Sequence, residues 1–230
     1  MTSSPLQDPD LDRLVADLQQ RSADQITSIT TYFADRAARG NAADLENLDP
    51  DADGFLADKL VALEHDKALL CHRLCLALRA RHVVEVGTSY GVSTLYLAQA
   101  VRLVTDADGG TGTVIGTEKE PDKAAAAKEN FRRAGLDAYI DLREGDLRET
   151  LLDLPPSIDV VLIDIWPAMA RPALELITPH LRPGGLILVD NTENRPDTYR
   201  DAFEYIDDPA NGLLPQTLPF RGGLEIIVKR

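Results

Sequence analysis

The sequence has little that points to life outside the cell or in a membrane. Only two of its 230 residues are cysteine, Cys71 and Cys75, four apart in a stretch of helical spacing. Two thiols on one helix face make no disulfide framework, so buried free thiols in a reducing compartment are expected. The opening MTSSPLQDPD lacks the basic and apolar regions of a secretory signal. No apolar run approaches the roughly 20 residues that cross a bilayer. A cytoplasmic location is the resulting expectation. Positive charge is also scarce: 24 Lys and Arg stand against 38 Asp and Glu, for a net charge of −14. Such a chain repels phosphate backbones and anionic lipid, and no Lys/Arg run builds a local basic patch. Neither nucleic acid nor membrane is an expected partner. There is no internal repeat, and the four histidines (His65, His72, His82, His180) show no metal spacing. Solvated or capping roles are expected for His72 and His180.

What is present is a globular composition, 44% hydrophobic and 27% charged. The length suits one α/β domain with an N-terminal extension. Residues 1–10 read as a disordered tail. From Leu11 to about Ala38, apolar residues at helical spacing predict one or two amphipathic helices. Gly40 to Gly54 reads as an acidic loop, and Leu56 to Leu78 as a further helix. Within that loop, Asp49-Pro50-Asp51-Ala52-Asp53-Gly54 imitates a calcium loop, but the twelfth position is Leu60 rather than a bidentate Glu. A linker is the better reading.

Beyond residue 80 the pattern alternates. Strands are predicted at His82–Val86, Thr113–Glu118, Tyr139–Arg143, Asp159–Ile165 and Leu186–Asp190. Helices are predicted at Ser93–Leu103, Pro121–Ala134 and Arg171–His180, with a flexible loop at Thr105–Gly112. This alternation predicts a doubly wound, seven-stranded, mostly parallel sheet. Leu214–Phe220 and Leu224–Lys229 flank Arg221-Gly222-Gly223 and predict a C-terminal antiparallel hairpin at the sheet edge.

Four constellations carry chemistry. The first is Val84-Glu85-Val86-Gly87-Thr88-Ser89-Tyr90-Gly91-Val92-Ser93, a strand, a glycine turn and a helix start. Glycines let the backbone turn tightly and approach a ligand, and the helix N-terminus offers free N–H groups. The nicotinamide fingerprint wants a third glycine where Thr94 stands. Glu85 could reach an ammonium or ordered water, and Ser93 a carboxylate. The second is Glu118, which ends the second strand, where an acid can accept both hydroxyls of a ribose. The third is Gly145-Asp146-Leu147: Asp146 could accept from an adenine amine, cap the following helix, or do both. The fourth joins Asp164, ending the fourth strand, with Asp190 and Asn191, ending the fifth. Two carboxylates and an amide oxygen are hard ligands suited to Mg²⁺ or Ca²⁺.

In this order the motifs resemble those of the class I S-adenosylmethionine-dependent O-methyltransferases, in particular the catechol/caffeoyl-CoA O-methyltransferase-like group. VVEVGTSYGVSTLYLA is similar to its glycine motif and VIGTEKEPDKAAAAKENFRRAGL to its ribose-binding strand and helix. IDVVLIDIWP and LRPGGLILVDN are similar to its metal-binding strands, and GGLEIIVKR to its closing strand. The resemblance implies a methyltransferase domain over 57–230, preceded by a helical extension and acidic loop over 1–56. It puts Glu85, Gly87, Thr88, Ser89, Gly91 and Ser93 around the methionine part of the cofactor. Glu118 falls at the ribose, Asp146 and Leu147 at the adenine, with Asp164 and Trp166 beside them. Asp164, Asp190 and Asn191 fall on the ligands of a divalent cation (Mg²⁺, with Ca²⁺ or Mn²⁺ as alternatives). The implied activity is methyl transfer to the oxygen of a small hydroxyl-bearing acceptor, by a homodimer. The sequence departs from the group at Pro167, where catechol-type enzymes carry a basic lysine. Asp164 and His65 are the catalytic candidates, and Lys67 is a further replacement for the base. A diverged or non-catalytic S-adenosylmethionine-binding protein, or an NAD(P)-dependent oxidoreductase, are the alternatives.

Overall fold

Continuous apolar runs become buried parallel strands because both faces of the sheet are covered by helices. The computed structural model describes residues 4–41, 49–194 and 198–230. Strands β1 (His82–Val86), β2 (Thr113–Glu118), β3 (Ile140–Glu144), β4 (Ile158–Ile163) and β5 (Leu181–Asp190) run parallel. They are joined by β6 (Leu213–Leu218) and β7 (Leu224–Lys229) in the order β3-β2-β1-β4-β5-β7-β6. The expected antiparallel hairpin forms at the sheet edge. Strand β7 lies between β5 and β6, antiparallel to both.

The two-residue period of a strand sorts side chains between two cores. Val83 on β1 joins one cluster with Val160 and Leu162 on β4. Helices α1 (Pro9–Ala23), α4 (His65–Leu78), α5 (Val92–Asp108) and α6 (Pro121–Arg133) cover that face. Val84 and Val86 join the opposite cluster with Val161 and Ile163. There the cover is α7 (Leu147–Thr150), α8 (Pro167–Ile177) and α9 (Arg200–Asp207). Two further helices, α2 (Ile26–Ala38) and α3 (Pro50–Leu56), complete the N-terminal part.

Several local expectations change. The tail is ordered from Ser4: Leu6 is fully buried, and its carbonyl accepts from Gln99 Nε2 at 2.7 Å. Asp8 then caps α1 by accepting the Asp10 and Leu11 amides, with Pro9 in the first turn. The same device turns part of the acidic loop into α3, because Asp49 accepts the Asp51 and Ala52 amides ahead of Pro50. The rest of that loop, residues 42–48, lies outside the described residues. The helix expected over Leu56–Leu78 is interrupted at residues 57–64. Side chains of the N-terminal segment take over its backbone there: Ser22 accepts from the Ala62 amide, Gln25 from the Leu60 amide, and Gln19 donates to the Leu63 carbonyl. Helix α5 runs through the expected loop to Asp108. Thr105 Oγ1 bonds back to the Val101 carbonyl, and Gly109 is the true stop. Helix α8 begins earlier than expected, with Pro167 in its first turn. His72 is neither solvated nor capping. It is fully buried with no partner on either ring nitrogen among the described residues, and burial pulls its pKa down to about 4.

Candidate active site

The strand order reverses direction at β1, between β2 and β4, so a crevice opens at the carboxyl ends of these strands. A cavity of about 940 Å³ lies there. That is near the top of the range of about 300–1,000 Å³ typical of ligand pockets. Its floor starts at Gly87, where the chain leaves β1 with φ +94°. A Cβ at this position would collide with the Asp164 carbonyl oxygen, so β1 and β4 close together only around a glycine. Ser89 follows at φ 50°, a left-handed conformation that is strained for serine. Its amide is directed at Glu118: Ser89 N donates to Oε2 at 2.6 Å, and Glu120 N donates to Oε1 at 2.8 Å. Glu118 lines the cavity as a fixed, nearly buried carboxylate with acceptor capacity left over.

Asp146, Leu147 and Trp166 also line the cavity. Asp146 caps α7, accepting the Arg148 amide at 2.8 Å, and the Arg148 guanidinium holds its carboxyl below the usual range. It therefore caps a helix and faces the cavity at once.

Other expected residues lie behind the wall. Glu85 is fully buried and does not line the main cavity. It accepts from Thr88 Oγ1 at 3.0 Å, Ser93 Oγ at 2.6 Å and Thr94 Oγ1. Burial pushes its pKa up to about 7, against the pull of these hydroxyls. Glu85, Thr88 and Ser93 thus brace the glycine turn from beneath. Gly91, at φ +80°, lets the Phe131 ring of α6 press against the start of α5. His65 is not brought to the cavity. It is exposed, and its Nδ1 lies 2.7 Å from Tyr96 Oη.

The acidic rim departs furthest from expectation. Ile163 pairs with Val189, so the next residues, Asp164 and Asp190, stand side by side at the strand ends. Lys67, from the first turn of α4, reaches into this rim. Its Nζ donates to Asp190 Oδ1 at 2.6 Å and sits 3.0 Å from Glu64 Oε2. Lys67 is 1% exposed and Asp190 3%. Burial alone would lower the lysine pKa, but Asp190 and Glu64 override it and hold it raised. The other Asp190 oxygen accepts from Asn191 Nδ2 at 2.9 Å. Asn191 Oδ1 points instead at Gly222, where a Cβ would lie 2.7 Å away. The expected ligand set of Asp164, Asp190 and Asn191 therefore does not fit a divalent ion. One carboxylate is bound on both oxygens, and the amide oxygen faces elsewhere. Among the described residues, no three His, Cys, Asp or Glu side chains form a metal-holding group either. Asp164 keeps a half-buried position on the cavity wall. Burial, then the nearby Asp190 and Glu85, raise its pKa well above the ordinary range.

Sequence reasoning missed part of the opposite wall. Phe33 and Val61 line it from the N-terminal part, and Tyr199 from the segment after β5. Tyr199 is nearly buried and donates to the Asp190 carbonyl at 3.0 Å. Phe33 sits in the middle of α2, Val61 in the loop before α4 and Tyr199 at the start of α9, and none of them belongs to a motif.

Comparison with known proteins follows the same lines. Residues 84–192 match the profile of a methyltransferase-domain family. A catechol O-methyltransferase of Mycobacterium tuberculosis is 33% identical over 122 residues, covering 51% of this chain and 52% of that enzyme. A catechol O-methyltransferase of Niastella koreensis is 30% identical over 126 residues, covering 53% and 52%. The chain spans about half the length of these curated relatives. The crystal structure of the Bacillus cereus O-methyltransferase in complex with SAH has the same fold. It aligns with a TM-score of 0.66 at 21% identity, over 88% of this chain and 100% of that one. Residues 84–192 are thus similar to methyltransferase domains, and the chain shares the fold of the Bacillus cereus enzyme.

Proposed function

We propose that this protein transfers a methyl group from S-adenosylmethionine to an oxygen of a small acceptor. The observation that carries the reading is the Glu118 carboxylate, fixed by the Ser89 and Glu120 amides at the wall of a cavity large enough for cofactor and acceptor together. Bound S-adenosylmethionine supplies an electrophilic methyl group on a sulfonium. Glu118 accepts the ribose hydroxyls, Asp146 and Leu147 border the adenine, and Trp166 packs beside them. Gly87 and Ser89 give the methionine part its close backbone approach, while Glu85, Thr88, Gly91 and Ser93 keep that turn in shape. Asp164 hydrogen-bonds the acceptor oxygen. It lines the cavity and makes no side-chain hydrogen bond to a described residue. Most of the rate would come from alignment and from a site that excludes water. A divalent cation is not part of this reading, since Lys67 and Asn191 already engage Asp190.

The functional domain in this reading is 57–230, with 1–56 as an extension that covers the acceptor side. Phe33, Asp53 and Leu56 on the cavity wall support this, as does the ion pair of Asp53 with Lys119 at 2.5 Å. The acidic balance supports a small-molecule partner. Cytoplasmic location and homodimer formation belong to the same reading. A non-catalytic cofactor-binding protein is the second reading, favoured by Pro167 and by His65 lying away from the cavity. Isothermal titration with S-adenosylhomocysteine, followed by transfer of labelled methyl to phenols, catechols and hydroxy acids, tests both. Binding with turnover supports the first reading and binding without turnover the second. No binding would defeat both.

A further inference from the structure

The buried contact between Lys67 and Asp190 has a consequence for what the site can hold. We infer that the Lys67 ammonium is a built-in cation, occupying at Asp190 the place a divalent ion would require, so that the site works without metal. Three observations meet here. Lys67 Nζ lies 2.6 Å from Asp190 Oδ1, so the ammonium takes up the coordinating face of that oxygen. Glu64 holds the ammonium from its other side at 3.0 Å. Asn191 spends its amide N–H on Asp190 Oδ2 and turns its oxygen toward Gly222.

The charge balance follows from burial. Two carboxylates at adjoining strand ends repel each other unless a cation stands between them or one takes a proton. A lysine on α4 meets that need with one covalently tethered charge, fixed whenever the fold is formed. A divalent ion at Asp190 would have to displace the ammonium, which would give up its buried partner and keep the half-exposed Glu64. Removing the ammonium reverses the situation. It leaves Asp190 buried and uncompensated beside Asp164, and a hard divalent cation is the ligand such a pair selects. Lys67→Ala is therefore expected to create a metal site that the natural chain lacks.

The inference rests on the methyltransferase reading only for its meaning in turnover, because its test is metal binding itself. Mn²⁺ is titrated calorimetrically, and by its effect on thermal unfolding, into the wild type, Lys67→Ala and Lys67→Ala/Asp190→Asn. The wild type should show no saturable site that depends on Asp190. It should also bind S-adenosylhomocysteine equally in Mn²⁺ and in chelator. Lys67→Ala should bind Mn²⁺ at least about tenfold more tightly and regain melting temperature with it, and the double variant should lose both gains. Stoichiometric Mn²⁺ binding by the wild type that Asp190→Asn abolishes would overturn the inference. So would a folded Lys67→Ala that ignores Mn²⁺. If Lys67→Ala does not fold in chelator, folding restored by Mn²⁺ supports the inference, and the wild-type titration decides it independently. Failure to bind S-adenosylhomocysteine would count against the proposed activity and leave the metal result standing.

Discussion

Glu118 and Ser89 are locked together across the mouth of β1 and β2, with the Ser89 amide donating to the Glu118 carboxylate at 2.6 Å. The serine backbone is left-handed at that point, so the carboxylate stabilises a turn that the sequence alone disfavours. Glu118→Ala removes both the anchor of the turn and the acid at the cavity wall. Hydrogen bonds to charged groups contribute about 1.5–3 kcal/mol. Affinity for S-adenosylhomocysteine should fall at least about tenfold, read by titration calorimetry. Unchanged affinity would remove Glu118 from the cofactor site.

Gly87→Ala tests the closest approach in the fold. A methyl group there meets the Asp164 carbonyl oxygen, and φ +94° is costly for alanine. Neither β1 nor β4 has room to shift, since β1 is hydrogen-bonded between β2 and β4. The substitution should destabilise by about 1–3 kcal/mol or more and also weaken cofactor binding. Urea unfolding would record it as a lower midpoint at constant slope.

Leu6→Ala asks whether the N-terminal segment belongs to the core. Leu6 is fully buried beside Gln99 and α1. A loss of about 2–5 kcal/mol is expected, as for other buried leucines. A loss within about 0.5 kcal/mol, the size of an ordinary surface change, would mean the segment is only loosely attached.

Glu85 gives a pH prediction with a definite sign. Burial raises its folded pKa to about 7, above the ordinary carboxyl value of 4.5. The folded protein therefore keeps a proton that the unfolded chain releases. Stability from this group is fully present below pH 4.5 and is lost as pH rises through about 7. The slope is at most about 1.4 kcal/mol per pH unit. Glu85→Gln, which cannot titrate, should flatten that part of the profile. Chemical unfolding of both proteins across the window gives the difference directly, and identical slopes would show that Glu85 does not titrate there.

Much of this fold is legible in the sequence. The fourth and fifth strands are the clearest case: Val160–Ile163 and Leu186–Val189 are continuous apolar runs closed by Asp164 and Asp190, and such runs suit a sheet covered on both faces. The capped helices were harder. Asp49-Pro50 reads as a loop by composition, yet Asp before Pro is also a strong helix start, and burial of Ala52 decides between them. Residues 57–64 carry apolar spacing that suits a helix. Their backbone bonds go to Ser22, Gln25 and Gln19, some forty positions away, which local pattern cannot reveal. In the site, the pattern places Asp164 and Asp190 at adjoining strand ends, where they stand, but it does not give side-chain direction. Glu85 turns under the glycine loop and Asn191 turns toward Gly222. Lys67 was legible as a nearby base, while its position against Asp190 depends on how α4 packs over the sheet.

The position of β7 has a consequence for how the molecule is made. A nascent chain emerging in order can assemble β1 to β5, but β6 then has no sheet neighbour. Until Leu224–Lys229 arrives, the edge of β5 stays open, with its hydrogen-bonding groups available to any passing strand. The late strand must then enter between two earlier ones, bringing Leu224 against Asp190 and Gly222 to the cavity wall. The part of the cavity wall that Gly222 forms therefore depends on β7 taking its place against β5.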